Sequence, residues 1–377
     1  MKKLLYLFVL SLICLACDSS SDQTASTKTL QISMDTVVVD AKEEFLYLNA
    51  VLSKSSVSPD KRYLYNFNDK LSYIEKIDLA SLELISTHPF EKEGPNGIGS
   101  YVFRFKQIAE EQFLIQSFEE SGLFSLDGTL LKKLETRADK ISGHSFRADE
   151  SMTAAMLNPE QTKLYTIFQS FLNKSFSFGI IDLETNTFEA IELPAYQKDF
   201  EAYHLSWVQD GKTMVVIPPQ FKITTQADRA IISSNVTTDI YTIDLKTDSV
   251  THYSYENPLS KNAKSTTTQN VANDEAGFRQ LVSDYDSQIT FEPPVWDETS
   301  QQFYRFSYAQ YEEEIAGETV TKAEVFLTIL DKDFQVVHSI ALPNYEKAVP
   351  FHFVKDGQIW IFENVNDELG FIRLTIK

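Results

Sequence analysis

Seven side chains in this sequence carry groups that could bind a ligand. Each lies just before or within the first apolar segment of a repeating unit, and together they offer imidazole, guanidinium, amide and carboxylate groups. A histidine flanked by aromatic residues, as His352 is by Phe351 and Phe353, is also typical of a core position, and Asn is favoured in turns for local backbone reasons. The predicted candidate ligand-binding residues are Asn96, Arg104, His144, Arg147, His204, Glu292 and His352.

Sequence motifs for catalysis are absent. There is no Gly-x-Ser-x-Gly elbow and no His-Glu-x-x-His helix, and the glycine-rich segment 94–99 lacks the Lys-Ser/Thr ending of a phosphate loop. The acidic segments 273–275 and 284–286 lack the glycine and the final glutamate of an EF-hand loop. The sequence therefore predicts no catalytic residue, no metal site and no cofactor, and it leaves enzymatic activity uncertain.

The N-terminus has the composition of an export signal. Lys2 and Lys3 precede an apolar run over residues 4–16, which is shorter than the roughly 20 residues of a membrane-spanning helix. The run ends at Leu15-Ala16-Cys17, which is similar to a lipobox, although Cys14 stands where that pattern prefers an aliphatic residue. The alternative is ordinary cleavage after Ala16, which would leave Cys17 free. We predict a lipoprotein signal peptide over residues 1–16.

Lipidation of Cys17 would fix the cellular location of the chain. Fatty acyl chains such as palmitate on this cysteine would anchor the protein to a membrane, because each buried methylene contributes about 0.8 kcal/mol. Residues 17–29 are rich in Ser, Thr, Asp and Gln and are predicted as a flexible tether to a domain over residues 30–377. The predicted location is extracytoplasmic in the cell envelope, with the outer membrane favoured over the inner one.

Acidic residues strongly outnumber basic ones. The chain has 54 Asp and Glu against 34 Lys and Arg, a formal net charge of −20. Such a surface repels phosphate backbones, so nucleic acid is not a predicted partner. The 17 Tyr and 27 Phe residues favour strands over helices.

A repeated pattern predicts the architecture. A short polar turn followed by an apolar strand recurs at residues 58–61, 158–161, 209–212, 297–300 and 355–357, with a weaker copy at 109–111. A second landmark is an aspartate that ends a strand and caps a turn, at Asp78, Asp127, Asp182, Asp244 and Asp331. These aspartates lie 49, 55, 62 and 87 residues apart. Propeller blades repeat about every 40 to 50 residues, so the longest interval indicates an insertion.

The sixth unit lacks a strand, and the N-terminus supplies a spare one. Segments 360–362 and 371–374 provide the second and third strands of this unit, and the printed sequence stops at Lys377. Segment 30–34 alternates apolar and polar residues as an isolated strand does. Pairing it with segment 371–374 would complete the last sheet and remove an exposed edge.

This organisation resembles the six-bladed β-propeller lipoproteins of bacteria, including a family known only as a domain of unknown function. The resemblance covers residues 30–377 and depends on the repeat, the closing strand and the Gly-Pro turn at 93–99. It implies an all-β, six-bladed β-propeller whose ring is closed by an N-terminal strand joining the last blade. Seven blades, with one hidden in 257–290, and a two-domain β-sandwich are the alternatives.

The long connections are predicted to lie on one face. They are 218–238 in blade four, 310–322 in blade five and the insertion 257–290 between them, of which 272–289 is predicted to contain a short helix. Elaborated loops on a rigid scaffold favour function on that face, although they could also only cover apolar surface. The prediction is a non-catalytic propeller that binds a protein or small-molecule ligand at the loop face of blades four and five. The alternative is a metal-dependent propeller hydrolase or lactonase.

Overall fold

A computed structural model describes residues 30–170, 172–265 and 270–377. The described residues divide into two units, a large one of residues 34–375 and a small one of residues 30–33 with 376–377. In the small unit, Gln31 and Lys377 exchange two backbone hydrogen bonds of 2.9 Å. The predicted signal peptide, the tether and Cys17 lie outside the described residues. No helix in the described part of the chain is long and apolar enough to cross a membrane.

The first half of the chain forms three four-stranded antiparallel sheets in chain order. After β1 (Ile32–Val38) and a 3-10 turn (Asn49–Leu52), the first sheet contains β2 (Ser55–Val57), β3 (Tyr63–Asn68), β4 (Tyr73–Asp78) and β5 (Glu83–Pro89). The second contains β6 (Val102–Ala109), β7 (Gln112–Ser117), β8 (Ser121–Ser125) and β9 (Leu130–Lys133). A 3-10 turn (Ala138–Lys140) leads to the third, with β10 (Ser151–Leu157), β11 (Lys163–Ser170), β12 (Ser175–Asp182) and β13 (Thr187–Ile191).

The second half adds two further four-stranded sheets, one five-stranded sheet and a small accessory sheet. Helix α1 (Pro194–Ala202) precedes the hairpin β14 (Leu205–Gln209) and β15 (Lys212–Ile217). The fourth sheet contains β16 (Phe221–Gln226), β17 (Arg229–Ser234), β18 (Ile240–Asp244) and β19 (Val250–Tyr253), and it is followed by β20 (Val271–Ala272) and α2 (Glu275–Asp286). The fifth contains β21 (Thr290–Phe291), β22 (Val295–Asp297), β23 (Gln302–Ile315), β24 (Glu318–Leu330) and β25 (Val336–Ala341). The last contains β26 (His352–Lys355), β27 (Gln358–Val365) and β28 (Glu368–Ile376).

The N-terminal strand completes the last sheet, as the sequence predicts. The strand order there is β1-β28-β27-β26. Within the larger unit, Val39 N donates to Leu369 O at 2.8 Å, and Asp35 forms an ion pair with Arg373. The strand begins and ends later than the predicted segment 30–34, and its register places residues 34–37, rather than 30–34, opposite 371–374.

The five landmark aspartates cap turns as predicted. Asp78 Oδ1 accepts from Ala80 N at 2.8 Å, and Asp182 Oδ1 accepts from Thr185 N at 2.8 Å. Asp127, Asp244 and Asp331 make the same type of bond to amides two to four residues further on. The carboxylate satisfies amides that the sheet leaves unpaired. Asp78, Asp182 and Asp244 are the last residues of their strands, whereas Asp127 and Asp331 lie two residues and one residue beyond β8 and β24.

The two ends of each sheet differ in their connections. We call the end with the short turns between first and second strands and between third and fourth strands the turn face. Turns of successive sheets adjoin there: Gln161 Nε2 donates to Gln112 Oε1 at 3.1 Å, and Gly357 approaches Thr299. We call the opposite end, where second strands connect to third strands and each sheet leads to the next, the loop face.

The prediction for blade four is wrong in one part. The turn at 209–212 connects β14 and β15, which pair in a separate three-stranded sheet with β20. The segment 218–238, predicted as a loop, instead forms β16 and β17, the first two strands of the four-stranded sheet. The β14–β15 hairpin resembles a blade hairpin in sequence because Asp210 and Gly211 take positive φ in a tight turn between apolar strands.

The insertion after β19 contains the predicted helix. Phe278 and Tyr285 of α2 pack against Tyr203, Leu205 and Val236 in one apolar cluster. Lys264 Nζ donates to Tyr285 O at 2.8 Å and to Thr290 Oγ1 at 2.9 Å, which joins the insertion to the start of the fifth sheet. In blade five, segment 310–322 is a continuation of the β23–β24 hairpin rather than an irregular loop.

Aromatic residues fill the spaces between successive sheets. Phe67 of the first sheet stacks on Phe105 of the second at 5.5 Å, and Tyr65 meets Phe113 edge-on at 5.0 Å. Antiparallel sheets packed in chain order through their faces, with the N-terminal strand completing the last one, constitute the all-β propeller fold predicted from sequence.

Candidate functional site

A cavity of about 630 Å³ opens on the loop face where three sheets meet. Its walls come from β16 and β17 of the fourth sheet, from the start of the fifth sheet, and from the segment that leads into β26. The residues before β2 close one side through Val51 and Ser53. We call this space the loop-face cavity.

Glu292 enters the cavity because a pair of prolines interrupts its strand. Pro293 and Pro294 have no amide hydrogen to donate, so the first strand of the fifth sheet is divided into β21 and β22. Glu292 lies at this break, and its carboxylate accepts a 3.4 Å hydrogen bond from Tyr308 Oη. Burial raises the pKa of Glu292 to about 7, against the lowering effect of Lys222, Tyr308 and Arg305. Near neutral pH this carboxyl can therefore donate as well as accept a proton.

His352 lies across the cavity from the fourth sheet. Its Nδ1 is 2.9 Å from Pro350 O, and its ring meets Phe306 edge-on at 5.1 Å. Burial lowers the pKa of His352, so the ring is neutral at neutral pH and its carbonyl contact orients the tautomer with a proton on Nδ1. The structure thus brings Glu292 and His352, two of the seven predicted residues, into one cavity.

Lys222 and Tyr308 also line the cavity, and sequence reasoning missed both. Lys222 is exposed on β16, and no ion pair of its ammonium is found in the described part of the chain. It was overlooked because 218–238 was interpreted as a loop. The alternation of Phe221, Lys222, Ile223 and Thr224 was the available signal for a strand with Lys222 on its polar face.

Two predicted residues lie elsewhere in the fold. Asn96 Oδ1 accepts from Leu130 N at 3.0 Å, which holds the start of β9. His204 is buried after α1, where its ring lies 5.6 Å from Phe200. Neither lies in the loop-face cavity.

The other three predicted residues lie around the second and third sheets. Arg147 lines a separate loop-face cavity of about 590 Å³ together with Phe118 and Gln116. Arg104 donates to Gln116, and burial lowers the pKa of its guanidinium to about 10. His144 is exposed, with its ring 4.6 Å from Phe146. These residues are not brought together with Glu292 and His352.

A buried arginine fixes the shape of the loop-face cavity. Arg305 is 1% exposed, and its guanidinium donates to the carbonyls of Ser234, Thr237, Thr238 and Glu292 at 2.9–3.0 Å. One side chain therefore holds the connection between β17 and β18 against the break that carries Glu292. The Arg305 side chain therefore stabilises the cavity wall from its buried side.

Among residues 30–170, 172–265 and 270–377, no group of three or more His, Cys, Asp or Glu side chains is arranged to hold a metal ion.

Comparison with known proteins places the chain in a family. The model of a domain of unknown function, DUF4221, matches residues 26–339, which include β1 and every residue of the loop-face cavity up to Tyr308. The chain belongs to the DUF4221 family. No curated protein matches it.

Solved structures agree with this membership. A DUF4221 family member from Bacteroides vulgatus is similar over 92% of this chain and 98% of its own, with a TM-score of 0.61 and 16% identity. The β-propeller domain of Cps50 from Myceliophteria thermophila is similar over 84% of this chain and 81% of its own, with a TM-score of 0.43 and 10% identity. The similarity to the Bacteroides vulgatus protein, at 16% identity, establishes the fold of this DUF4221 protein alone.

Proposed function

We propose that this DUF4221 protein is a lipid-anchored, extracytoplasmic propeller that binds a ligand, without catalysis, in its loop-face cavity. The observation that carries the proposal is the convergence of Lys222, Glu292 and His352, from three different sheets, on one open cavity of about 630 Å³. A cavity of this size, with polar groups set in apolar walls, is typical of small-molecule sites. In this proposal the six sheets that follow the repeat are six blades.

The chemical character of the groups supports binding. Lys222 offers a cation, Glu292 a carboxyl that is close to half-protonated at neutral pH, and Tyr308 a hydroxyl. The neutral ring of His352 offers a hydrogen bond without adding charge. Together these four side chains can form hydrogen bonds with a polar ligand and thereby fix its orientation in the cavity.

The course of β1 supports an orientation relative to the membrane. Leu369, opposite Val39, begins β28 at the loop face, whereas Thr375 pairs with Gln358 beside the turn at 355–358. The chain therefore enters the larger unit, at Met34, from the turn face. In this proposal an anchor on Cys17 would bring the turn face towards the membrane, and the loop-face cavity would point away from it.

A variant that blocks the cavity tests the binding function. Ala348 is exposed on the cavity rim, so Ala348→Trp fills the opening without disturbing a sheet. Ala80 is exposed on the turn face, and Ala80→Trp is the matched control. The full-length proteins are purified from the membranes of cells that express them, and small molecules released on denaturation are identified by mass spectrometry.

The proposal predicts a molecule that is released in stoichiometric amount from the wild type and from A80W but not from A348W. The absence of any such molecule from the wild type, or its equal release from A348W, would overturn the cavity as a binding site. Retention of the protein in the membrane fraction, and its loss on Cys17→Ser, tests the anchor in the same preparations.

A further inference from the structure

Three cations on the innermost strands of two sheets form no ion pair in the described part of the chain, although the chain as a whole is strongly acidic. Arg104 and Lys106 lie two residues apart on β6, the first strand of the second sheet, and Lys222 lies on β16, the first strand of the fourth. No ion pair of these three side chains is found in the described part of the chain, where 18 other ion pairs occur. Lys355 on β26, another innermost strand, does pair with Asp356, so the lack of ion pairs is specific to these three side chains. Glu292 lines the same cavity as Lys222 without forming an ion pair with it in the described part of the chain.

The cations lie close enough to act on one another. Burial lowers the pKa of Lys106, and the charges of Lys61, Lys222 and Arg104 lower it further. All the charged groups that act on Lys106 are thus cations, whereas Lys61 itself also has Glu298 and Asp60 nearby. Like charges grouped in a partly desolvated space destabilise the folded chain unless an anion compensates them.

Open space adjoins two of these cations, in two separate cavities. Lys222 lines the loop-face cavity, and Lys106 lines a narrower cavity of about 180 Å³ bounded by the inner strands of the second, third and fourth sheets. Thr225 of β16 lines the same narrow cavity, so one strand, β16, contributes to both spaces. Lys106 and Lys222 therefore each adjoin open space, and Arg104 is grouped with them by its position on β6 and by the effect of its charge on Lys106. We call these three side chains the inner-strand cluster.

We infer that the inner-strand cluster of Lys106, Lys222 and Arg104 binds an anionic small molecule that carries carboxylate or phosphate groups. The inference rests on the proposed binding function, because Lys222 belongs to both sites, and it names the chemical class of the ligand. A carboxylate or phosphate would supply the countercharge that the fold omits and would accept from ammonium groups on opposite strands. Glu292, protonated below its pKa of about 7, can donate to such an anion instead of repelling it.

Thermal unfolding with defined anions tests this inference. The mature chain is titrated with pyrophosphate in one arm and citrate in the other, at constant ionic strength set with sodium chloride. The variants are Lys106→Met and Lys222→Met, and Lys212→Met on β15, outside the cluster, is the matched control. Affinities are measured in parallel by isothermal titration calorimetry.

The expected result is a saturable rise in the Tm of the wild type and of K212M with at least one anion. Binding by K106M and K222M should be weaker by about tenfold or more. Without added anion, K106M should melt at a higher temperature than the wild type, because the substitution removes a buried charge that is repelled by its neighbours. A merely structural lysine would give the opposite change.

Two results would overturn the inference. One is a Tm response to pyrophosphate and citrate that equals the response to chloride. The other is unchanged affinity in both K106M and K222M. If either occurs while A348W still abolishes capture of a co-purified molecule, the binding function stands and the anionic class of its ligand is wrong.

Discussion

Glu292 is the residue whose ionisation is most strongly coupled to the cavity. Burial raises its pKa from 4.5 to about 7, so the folded protein retains a proton that the unfolded chain releases. Stability contributed by this group is present below pH 4.5 and is lost as the pH rises towards 7. The charge of the cavity and the free energy of unfolding therefore change over the same pH interval.

Glu292→Gln should therefore remove part of the pH dependence of stability. Between pH 5 and pH 8 the wild type should lose about 2 kcal/mol of unfolding free energy relative to the variant. Urea denaturation at the two pH values measures the difference. Glu110→Gln, at an exposed turn position, should retain the wild-type dependence. Parallel curves for the wild type and E292Q would mean that Glu292 titrates normally.

Arg305 is the residue on which the cavity wall depends. Its guanidinium satisfies four backbone carbonyls and also donates to Tyr255 Oη at 3.2 Å, in a site closed to solvent. An ammonium has three donors on a single atom and cannot reach carbonyls arranged around a planar fork.

Arg305→Lys should lower the unfolding free energy by about 3 kcal/mol, because buried acceptors lose their donors. Chemical denaturation measures this loss, and Arg279→Lys on the exposed side of α2 should change stability little. A loss of less than about 1 kcal/mol in R305K would show that the network is not needed to hold the wall.

At the scale of elements, the pairing of β1 with β28 closes the last sheet. Val39 lies opposite Leu369 and Asp35 opposite Arg373, so Thr36 lies opposite Ile372 in this register. Successive residues of a strand point to opposite faces, so Asp35 and Ile372 do not face each other.

The register predicts which cysteines can be linked. The double variant Thr36→Cys with Ile372→Cys should form a disulfide on oxidation and stabilise the chain by about 3 kcal/mol, since it closes a very long loop. The pair Asp35→Cys with Ile372→Cys should not cross-link. Electrophoresis with and without reductant gives the answer, and cross-linking of the second pair in preference to the first would exclude this register.

The elements that sequence analysis predicted well are those with a strict local pattern. The aspartate-capped turns and the alternating strand at the N-terminus were identified because each depends on residues that are neighbours in sequence. The fourth sheet was misread because β14–β15 and β16–β17 are both apolar hairpins. Only tertiary packing decides which of them joins β18 and β19.

Functional residues were harder to predict than strands. Glu292 and His352 were selected because they lie at the starts of strands, and they do share a cavity. Sequence reasoning did not identify Lys222, Lys106 or Tyr308. Side chains from different sheets converge only in the folded protein, so the residues concerned have no fixed spacing in the sequence by which they could be recognised. Asn96 was selected for its position in a turn, and the structure gives it a role in that turn.

At the scale of the whole molecule, the two faces of the larger unit have different roles in the proposal. The turn face receives the chain at Met34, and the loop face carries both large cavities. An anchored protein of this design presents its binding face to whatever lies beyond the membrane surface.

Fluorescence quenching in vesicles tests this orientation. Lipidated protein is labelled at Ala80→Cys on the turn face or at Ala348→Cys on the loop face, and brominated lipids act as the quencher. The label at position 80 should be quenched more strongly than the label at position 348. The reverse order would mean that the loop face lies against the membrane.

In our proposal, the inner-strand cations and the loop-face cavity form the ligand site of this DUF4221 protein. Anomalous diffraction from crystals soaked in selenate, a tetrahedral oxyanion that scatters anomalously, locates bound anions directly. The strongest anomalous peak is expected within hydrogen-bonding distance of Lys222 or Lys106. This peak should be absent from crystals of the variant, K222M or K106M, that lacks the lysine beside it. Peaks confined to lysines on the outer surface, with none at the inner strands, would contradict it.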